Sequence, residues 1–245
     1  MIADEANLWA KPNRMLALRF KDDDVLEVGI DEAGRGCFWG PLMAGACAWP
    51  PRSTWTAEHE AVALEIRDSK KLSPKKRDRL ADALRRLVPL AAVGSVHAAE
   101  IDEHGITWAN QEAFRRAVGG LALQGDLKPR LLLDGQIPLP GYPDYHCIVQ
   151  GDGTYLNIAS ASILAKVDHD RWVEAVCDAE PGLAERYGLR TCRGYGTAVH
   201  RAGLKEHGAH AEHRALFVRN WIPSGLHSKA FNAKENNPEP CLIKL

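Results

Sequence analysis

None of the six cysteines, at positions 37, 47, 147, 177, 192 and 241, belongs to a Cys-x-x-Cys pair. The chain therefore gives no ground for a zinc site built on such a pair. At 245 residues it needs no disulfide staple to bury a core, so free thiols in a reducing compartment are expected. No apolar run approaches the ~20 residues of a membrane span. The opening Met1-Ile-Ala-Asp-Glu-Ala-Asn7 lacks both the basic and the apolar region of a secretory leader. A cytoplasmic protein without membrane attachment is the expectation. Formal net charge is only −1, so overall charge cannot hold a polyanion. Any grip on nucleic acid must come from local basic patches and bound metal. There is no internal repeat and no low-complexity segment.

What remains is an ordinary globular composition, 45% hydrophobic and 26% charged. Residues 1–24 are polar, end in Lys21-Asp-Asp-Asp24 and read as an N-terminal extension. Val25 to Asp31 reads as a strand. Pro41-Leu-Met-Ala-Gly-Ala-Cys-Ala-Trp49 reads as a second, joined closely enough to pair antiparallel with the first. Ser73-Pro74 is a helix start, followed by Leu80, Leu84 and Leu87 at helical spacing. Val88 to His97 reads as a strand, and Thr107 as the cap of a helix running to Gly119-Gly120. Arg130–Asp134 and His146–Gln150 read as short buried strands. Asn157 to Cys177 reads as a long helix with an apolar side. Its small residues Ala159, Ser160, Ala161 and Ser162 would allow close approach to another backbone. Thr197 and Gly208 would start and stop a further helix, and 222–245 reads as a tail. The order predicts an α/β fold with a mixed sheet flanked by helices and a C-terminal helical appendage at about 183–221.

Asp31, Glu32, Asp134 and Asp152 share one feature. Each lies at, or just past, the C-terminal end of an apolar strand. That edge is where open α/β sheets bind ligands. Taken singly, each could be a turn residue. Gathered together, four carboxylates would repel one another unless cations neutralised them. Two magnesium ions ~3.5–4 Å apart would suit phosphodiester hydrolysis. Gly34-Arg35-Gly36 follows at once and could bring backbone amides and a guanidinium to a phosphate. Asp144 and Asp168 lack an apolar strand before them and read as a turn and a helix-surface residue.

Other candidates keep two readings. Lys70 and Lys71, followed by Ser73-Pro-Lys-Lys-Arg77, form either a solvated face or a nucleic-acid contact. Lys166 is either a surface salt bridge or an active-site group. Tyr195, between Gly194 and Gly196, either packs on the core or stacks on a sugar or base. The histidines at 200, 207, 210 and 213 do not have the spacing of a His-x-x-x-His zinc helix.

The ordered set Ile30-Asp-Glu-Ala-Gly-Arg-Gly36, Asp68-Ser-Lys-Lys-Leu-Ser-Pro-Lys-Lys-Arg77, Leu132-Leu-Asp-Gly135 and Gly151-Asp152 resembles ribonuclease HII. Ala161-Ser-Ile-Leu-Ala-Lys-Val167 with Asp170-Arg171, then Arg193-Gly-Tyr195 with His213-Arg214, complete the resemblance across about residues 26–220. It implies a ribonuclease H-like catalytic domain (25–221) and cleavage of the RNA strand of RNA–DNA hybrids. It also implies incision 5′ of single ribonucleotides in duplex DNA, leaving 3′-hydroxyl and 5′-phosphate ends. By motif, Asp31, Glu32, Asp134 and Asp152 would hold two Mg2+ or Mn2+ ions. Gly34, Arg35 and Gly36 would read the ribose 2′-hydroxyl and the adjacent phosphate. Tyr195 would stack at the ribonucleotide–deoxyribonucleotide junction, and Lys70, Lys71, Lys166 and Arg193 would join the substrate contacts. A monomer is expected, with a replication clamp as a partner if the tail carries a clamp-binding peptide; Phe231 and Leu242 there make no clear motif.

The chain departs from the family pattern at Gln150 and Arg193, where lysine is common. His210 and Leu216 stand where threonine and serine are frequent, and Trp39 is unusually bulky, a core or rim residue. Those changes bear on phosphate contacts, not on the metal site. Three alternatives compete. Ribonuclease HIII usually carries an added domain, for which the 30 residues before Asp31 are too few. A non-catalytic nucleic-acid-binding module would be favoured by loss of a carboxylate, and all four are present. A DNA-cutting recombinase of the same fold group would have no use for a ribose-reading Gly-Arg-Gly.

Overall fold

The apolar run ending at Asp31 forms the centre of a five-stranded sheet in the computed structural model, which describes residues 15–125 and 127–223. The strands are β1 (Glu27–Ala33), β2 (Leu42–Ala48), β3 (Leu90–Val96), β4 (Arg130–Asp134) and β5 (Tyr145–Ile148). Their order is β3-β2-β1-β4-β5. β1 and β2 pair antiparallel, as their short connection requires, and β3 adds antiparallel to β2. β4 and β5 add parallel on the other side of β1. β5 is an edge strand and partly exposed, unlike the buried strand expected there, because no strand among the described residues pairs with its outer side.

Helices cover both faces. On one lie α1 (Ala57–Glu65), α2 (Pro74–Leu87) and the long α5 (Leu156–Ala179). Leu80 and Leu84 of α2 pack there with Ile163, Leu164 and Val167 of α5. α2 begins where the serine cap predicts, with Ser73 Oγ accepting from Lys76 N. The small stretch of α5 lies directly on the sheet. A Cβ added to Gly45 would stand 2.1 Å from the Ala161 carbonyl oxygen, so only glycine fits there.

On the opposite face lie α3 (Ala98–His104) and α4 (Ile106–Gly119). Phe114, Ala113 and Ala117 of α4 pack with Val28, Ile30 and Ala44. α3 was not anticipated, and Thr107 does not cap α4. Gly105 sits between the two helices at φ 84, ends the first and starts the second. Thr107 is thereby the second residue inside α4.

The appendage comprises α6 (Leu183–Tyr187), α7 (Leu189–Cys192), α8 (Ala198–His207) and α9 (Ala215–Val218). Thr197 caps α8 and Gly208 ends it, as read from the sequence. Trp39 proves to be a core residue here, fully buried with its ring 5.0 Å from that of Trp172. Residues 15–24 are docked on the sheet rather than hanging from it. Ala17 bridges to Tyr155, and Met15, Leu16 and Leu18 pack on the core. Buried Arg130 pairs with Asp23 at 2.9 Å and Glu27 at 3.2 Å, which fastens that stretch down. Residues 1–14 and 224–245, including Phe231 and Leu242, lie outside the described residues. Among the described residues no helix is long and apolar enough to cross a membrane.

Candidate active site

Strand pairing delivers the first two carboxylates. The parallel register of β1 and β4 runs to Ile30 opposite Leu133, so Asp31 and Asp134 emerge side by side. The third arrives by a turn. β5 runs parallel to β4, with Ile148 beside Asp134. Gln150 then adopts a left-handed φ of 56°, and a 3₁₀ turn at Gly151–Gly153 swings Asp152 back. Gly151 N donates to Asp134 Oδ1 at 2.7 Å and locks the turn to the strand end. Carboxylate oxygens of Asp31, Asp134 and Asp152 lie within 4.8 Å of one another.

Glu32 stands outside that group of three. Successive strand residues face opposite sides of a sheet. Asp31 lies across from Gly45, on the side α5 covers, and Glu32 across from Ala44, on the side of α4. Asp31 is buried, and the Ser162 hydroxyl of α5, which donates to Ser69 Oγ at 3.0 Å, favours its ionised form. Glu32 N donates to Asp31 Oδ1 at 2.7 Å. Asn110 of α4, fully buried, sits on Glu32's side and favours its ionised form.

The electrostatics are those of closely gathered, buried carboxylates. Burial, then the charges of Glu32 and Asp134, push the Asp31 carboxyl up to about 8. Burial raises Glu32 as well, with Asp134 adding and Arg35 and Lys70 opposing. Asp152 is raised by burial, then by Asp134 and Asp68, with Lys70 opposing. Three converging carboxylates held away from water, all hard oxygen donors, form a donor set that fits a divalent cation such as magnesium or manganese.

Beside the carboxylates, the chain turns at Gly34, where φ is +79° and a Cβ would fall 2.6 Å from the buried His169 ring. Both the turn and the space demand glycine. Arg35 and Gly36 are exposed. Arg214, fully buried, donates from Nη1 to the Arg35 carbonyl and from Nε to the Gly40 carbonyl, each at 2.9 Å. Phe38 N and Trp39 N both donate to Gly194 O, at 2.8 and 3.3 Å. These bonds stitch the Gly-Arg-Gly segment to Tyr195. The tyrosine is 42% exposed and lies against Gly36, whose Cβ would meet its ring at 3.8 Å. Burial pushes its hydroxyl up to about 12, so it remains a donor at neutral pH.

The basic candidates divide. Lys70 is exposed, and its charge eases ionisation of Glu32 and Asp152. Lys71 points to solvent and pairs with Asp68 at 3.6 Å. Lys166 Nζ is 2.7 Å from Asp170 and 5.9 Å from the centre of the Tyr195 ring. Arg193 pairs with Glu174, one step outside the Gly194–Tyr195 turn. Asp144 pairs with Arg130 and Asp168 with Arg85, in keeping with structural roles.

Several contributors escaped the sequence reading. Asn110 and His169 are polar residues on otherwise apolar helix faces, and that mismatch was the available signal. Two departures from the family pattern turn out to be coupled. The Trp39 indole Nε1 donates to His210 Nδ1 at 3.1 Å, while His210 Nε2 meets Glu180 at 3.0 Å. The bulky indole needs a buried acceptor, and histidine supplies it.

A mixed five-stranded sheet with carboxylates at the ends of its adjacent parallel strands, and helices on both faces, is a ribonuclease H-like fold. The ribonuclease HII family model matches residues 28–222, and the chain belongs to that family. Ribonuclease HII of Rhodococcus erythropolis is 39% identical over 199 residues, covering 81% of each chain. The crystal structure of ribonuclease H2 from Pyrococcus horikoshii superposes with a TM-score of 0.62 at 24% identity, over 80% of this chain and 96% of that one. A PCNA:RNase HII complex from Archaeoglobus fulgidus gives 0.56 at 25% identity, over 82% and 93%. The protein is thus a metal-dependent endoribonuclease with ribonuclease H activity on RNA–DNA hybrids.

Proposed function

We propose that this enzyme also incises duplex DNA on the 5′ side of a single embedded ribonucleotide, leaving 3′-hydroxyl and 5′-phosphate ends. The observation that carries this reading is the joining of Gly34–Gly36 to Tyr195 in one surface directly after Asp31. A long hybrid needs no such device, because any register presents a ribose. A lone ribonucleotide must be found by its one 2′-hydroxyl and by the sugar next to it. The backbone at Gly34 and Gly36 takes the 2′-hydroxyl, and Arg35, exposed and held by its carbonyl, takes the neighbouring phosphate. The Tyr195 ring stacks on the following deoxyribose. Lys70, Lys71, Lys166 and Arg193 would supply further phosphate contacts. Gln150, standing in for a lysine, brings no charge to it.

Asp31, Asp134 and Asp152, with Glu32 from the adjacent position, would hold two Mg2+ or Mn2+ ions. When bound, such a pair supplies an acidified attacking water and neutralises charge on the departing oxygen. The protein's part is to keep the oxygens converged. Gly151 N fixes Asp134, Glu32 N holds Asp31, and Asn110 backs Glu32. Residues 25–221 form the proposed catalytic unit.

Paired duplexes, identical except for one ribose or deoxyribose, test the reading. Incision only of the ribose-containing strand supports it. Cleavage of both, or of neither while a long hybrid is cut, overturns it. A sliding clamp is a further proposed partner, on the ground of the Archaeoglobus complex. Co-elution of the full chain with a clamp would support this, and separate elution would count against it.

A further inference from the structure

We propose that His200 and His213 form a two-ring relay of fixed tautomers that positions the Tyr195 backbone, and that His213-Arg214 couples Tyr195 to Arg35. This rests on the reading of Tyr195 as a substrate-facing residue.

The tautomers follow from one backbone bond. His210 N donates to His213 Nδ1 at 2.8 Å, so that nitrogen is an acceptor and carries no proton. A neutral His213 must then carry its proton on Nε2. Nε2 lies 2.8 Å from His200 Nε2, which must accept. His200 therefore carries its own proton on Nδ1, 3.0 Å from the Tyr195 carbonyl oxygen. Cys192 Sγ is also near that nitrogen, at 3.6 Å, but its thiol has the Tyr187 carbonyl to donate to. Each link admits one arrangement. Both rings are fully buried, and burial keeps His200 below the usual histidine range and so neutral.

The carbonyl being held is the useful one. The Tyr195 ring, in a residue 42% exposed and flanked by Gly36 and Lys166, takes its direction from its backbone as well as from those contacts. The Tyr195 carbonyl accepts from Thr197 N at 2.8 Å and from His200 at 3.0 Å, which uses both lone pairs. Tyr195 also bridges to Cys37, and Trp39 to His213. The residue after His213 is Arg214, whose side chain grips the Arg35 and Gly40 carbonyls. Two consecutive residues therefore act on the two halves of the proposed ribose-reading surface. One works through His200 and the other works directly. Neither imidazole reaches the carboxylate cluster, so His200 and His213 are positioning residues.

The first test uses the unaltered full-length protein. Imidazole nitrogen chemical shifts of isotope-labelled enzyme should place the His200 proton on Nδ1 and the His213 proton on Nε2. A His200 proton on Nε2 overturns the relay outright. The second test compares variants. His200→Ala should weaken incision at a lone ribonucleotide through KM, by roughly five- to tenfold, the order of one lost buried hydrogen bond. Hybrid cleavage should fall less. His200→Asn, which returns an N–H toward the Tyr195 carbonyl, should recover most of the loss. The proposal fails if Tyr195→Ala shows a selective loss on the lone ribonucleotide and His200→Ala does not. If Tyr195→Ala shows no selective loss, the substrate-facing reading of Tyr195 is what fails, and the tautomers alone decide the relay.

Discussion

Replacing Asp31 by asparagine should make the metal-free protein more stable while ending its activity. In the folded chain the Asp31 carboxyl is pushed up to about 8, against 3.8 for a free aspartate. A carboxyl whose folded value is raised binds a proton that the unfolded chain does not. Stability therefore falls as pH rises from about 4 towards 8. At pH 7 to 8 the penalty is roughly 2–4 kcal/mol, taking 1.36 kcal/mol per pKa unit as a ceiling that relaxation reduces. Asparagine has the same shape and no charge to desolvate, so Asp31→Asn removes the penalty. For a chain of this length each kcal/mol moves the melting temperature by about 2–4 °C, so a rise of roughly 5–15 °C is expected. Thermal denaturation in EDTA at pH 5 and pH 8 measures it: the variant should lead the parent at pH 8, and the gap should narrow at pH 5. Added manganese should then stabilise the parent more than the variant. An Asp31→Asn protein that melts at or below the parent at pH 8, or that cuts a hybrid at near the parental rate, would rule out a costly buried charge at Asp31 or its role in holding metal.

EDTA should abolish cleavage of every substrate, and added magnesium or manganese should restore it; full activity in EDTA would remove the metal from the account. Tyr195→Ala should impair incision at one embedded ribonucleotide roughly tenfold to a hundredfold, the scale of one lost stacking contact, and long hybrids less. Steady-state rates on both substrates check it, and equal losses would reassign junction recognition to Gly34, Arg35 and Gly36. Gly34→Ala should lower stability by about 1–2 kcal/mol for the left-handed backbone alone, with more from the clash at His169. Denaturant melts measure that loss, and an unchanged midpoint would contradict the geometry at this turn.

Much of this was legible in the chain because the core strands are short apolar runs ending in acid. β1, β2 and β4 were readable in that way, and the small-residue face of α5 announced its close seat on Gly45. α3 was not readable, because a seven-residue helix buries only Ala98 and Ile101. Gly105, which no sequence signal marked, serves two helices at once. The N-terminal stretch read as an extension because its polar residues, Asp23 above all, find their partner in Arg130, a hundred positions later in the chain. At the site, sequence supplied four carboxylates as one set, and the structure sorts them. Asp31, Asp134 and Asp152 converge, while strand alternation sends Glu32 toward Asn110. Asn110 and His169 show in the sequence only as polar residues on apolar helix faces, and the grip of Arg214 on the Arg35 and Gly40 carbonyls spans more than 170 positions, so their roles are set by the fold.

The proposed activity is recognition of one ribose in DNA and incision beside it. A DNA duplex carrying a single ribonucleotide, labelled on that strand and incubated with magnesium, tests it most directly when the product ends are mapped. The expected result is one cut on the 5′ side of the ribonucleotide, with a 3′-hydroxyl upstream and a 5′-phosphate on the ribonucleotide itself. An intact strand under conditions where a long hybrid is cut, or a cut on the 3′ side, would contradict it.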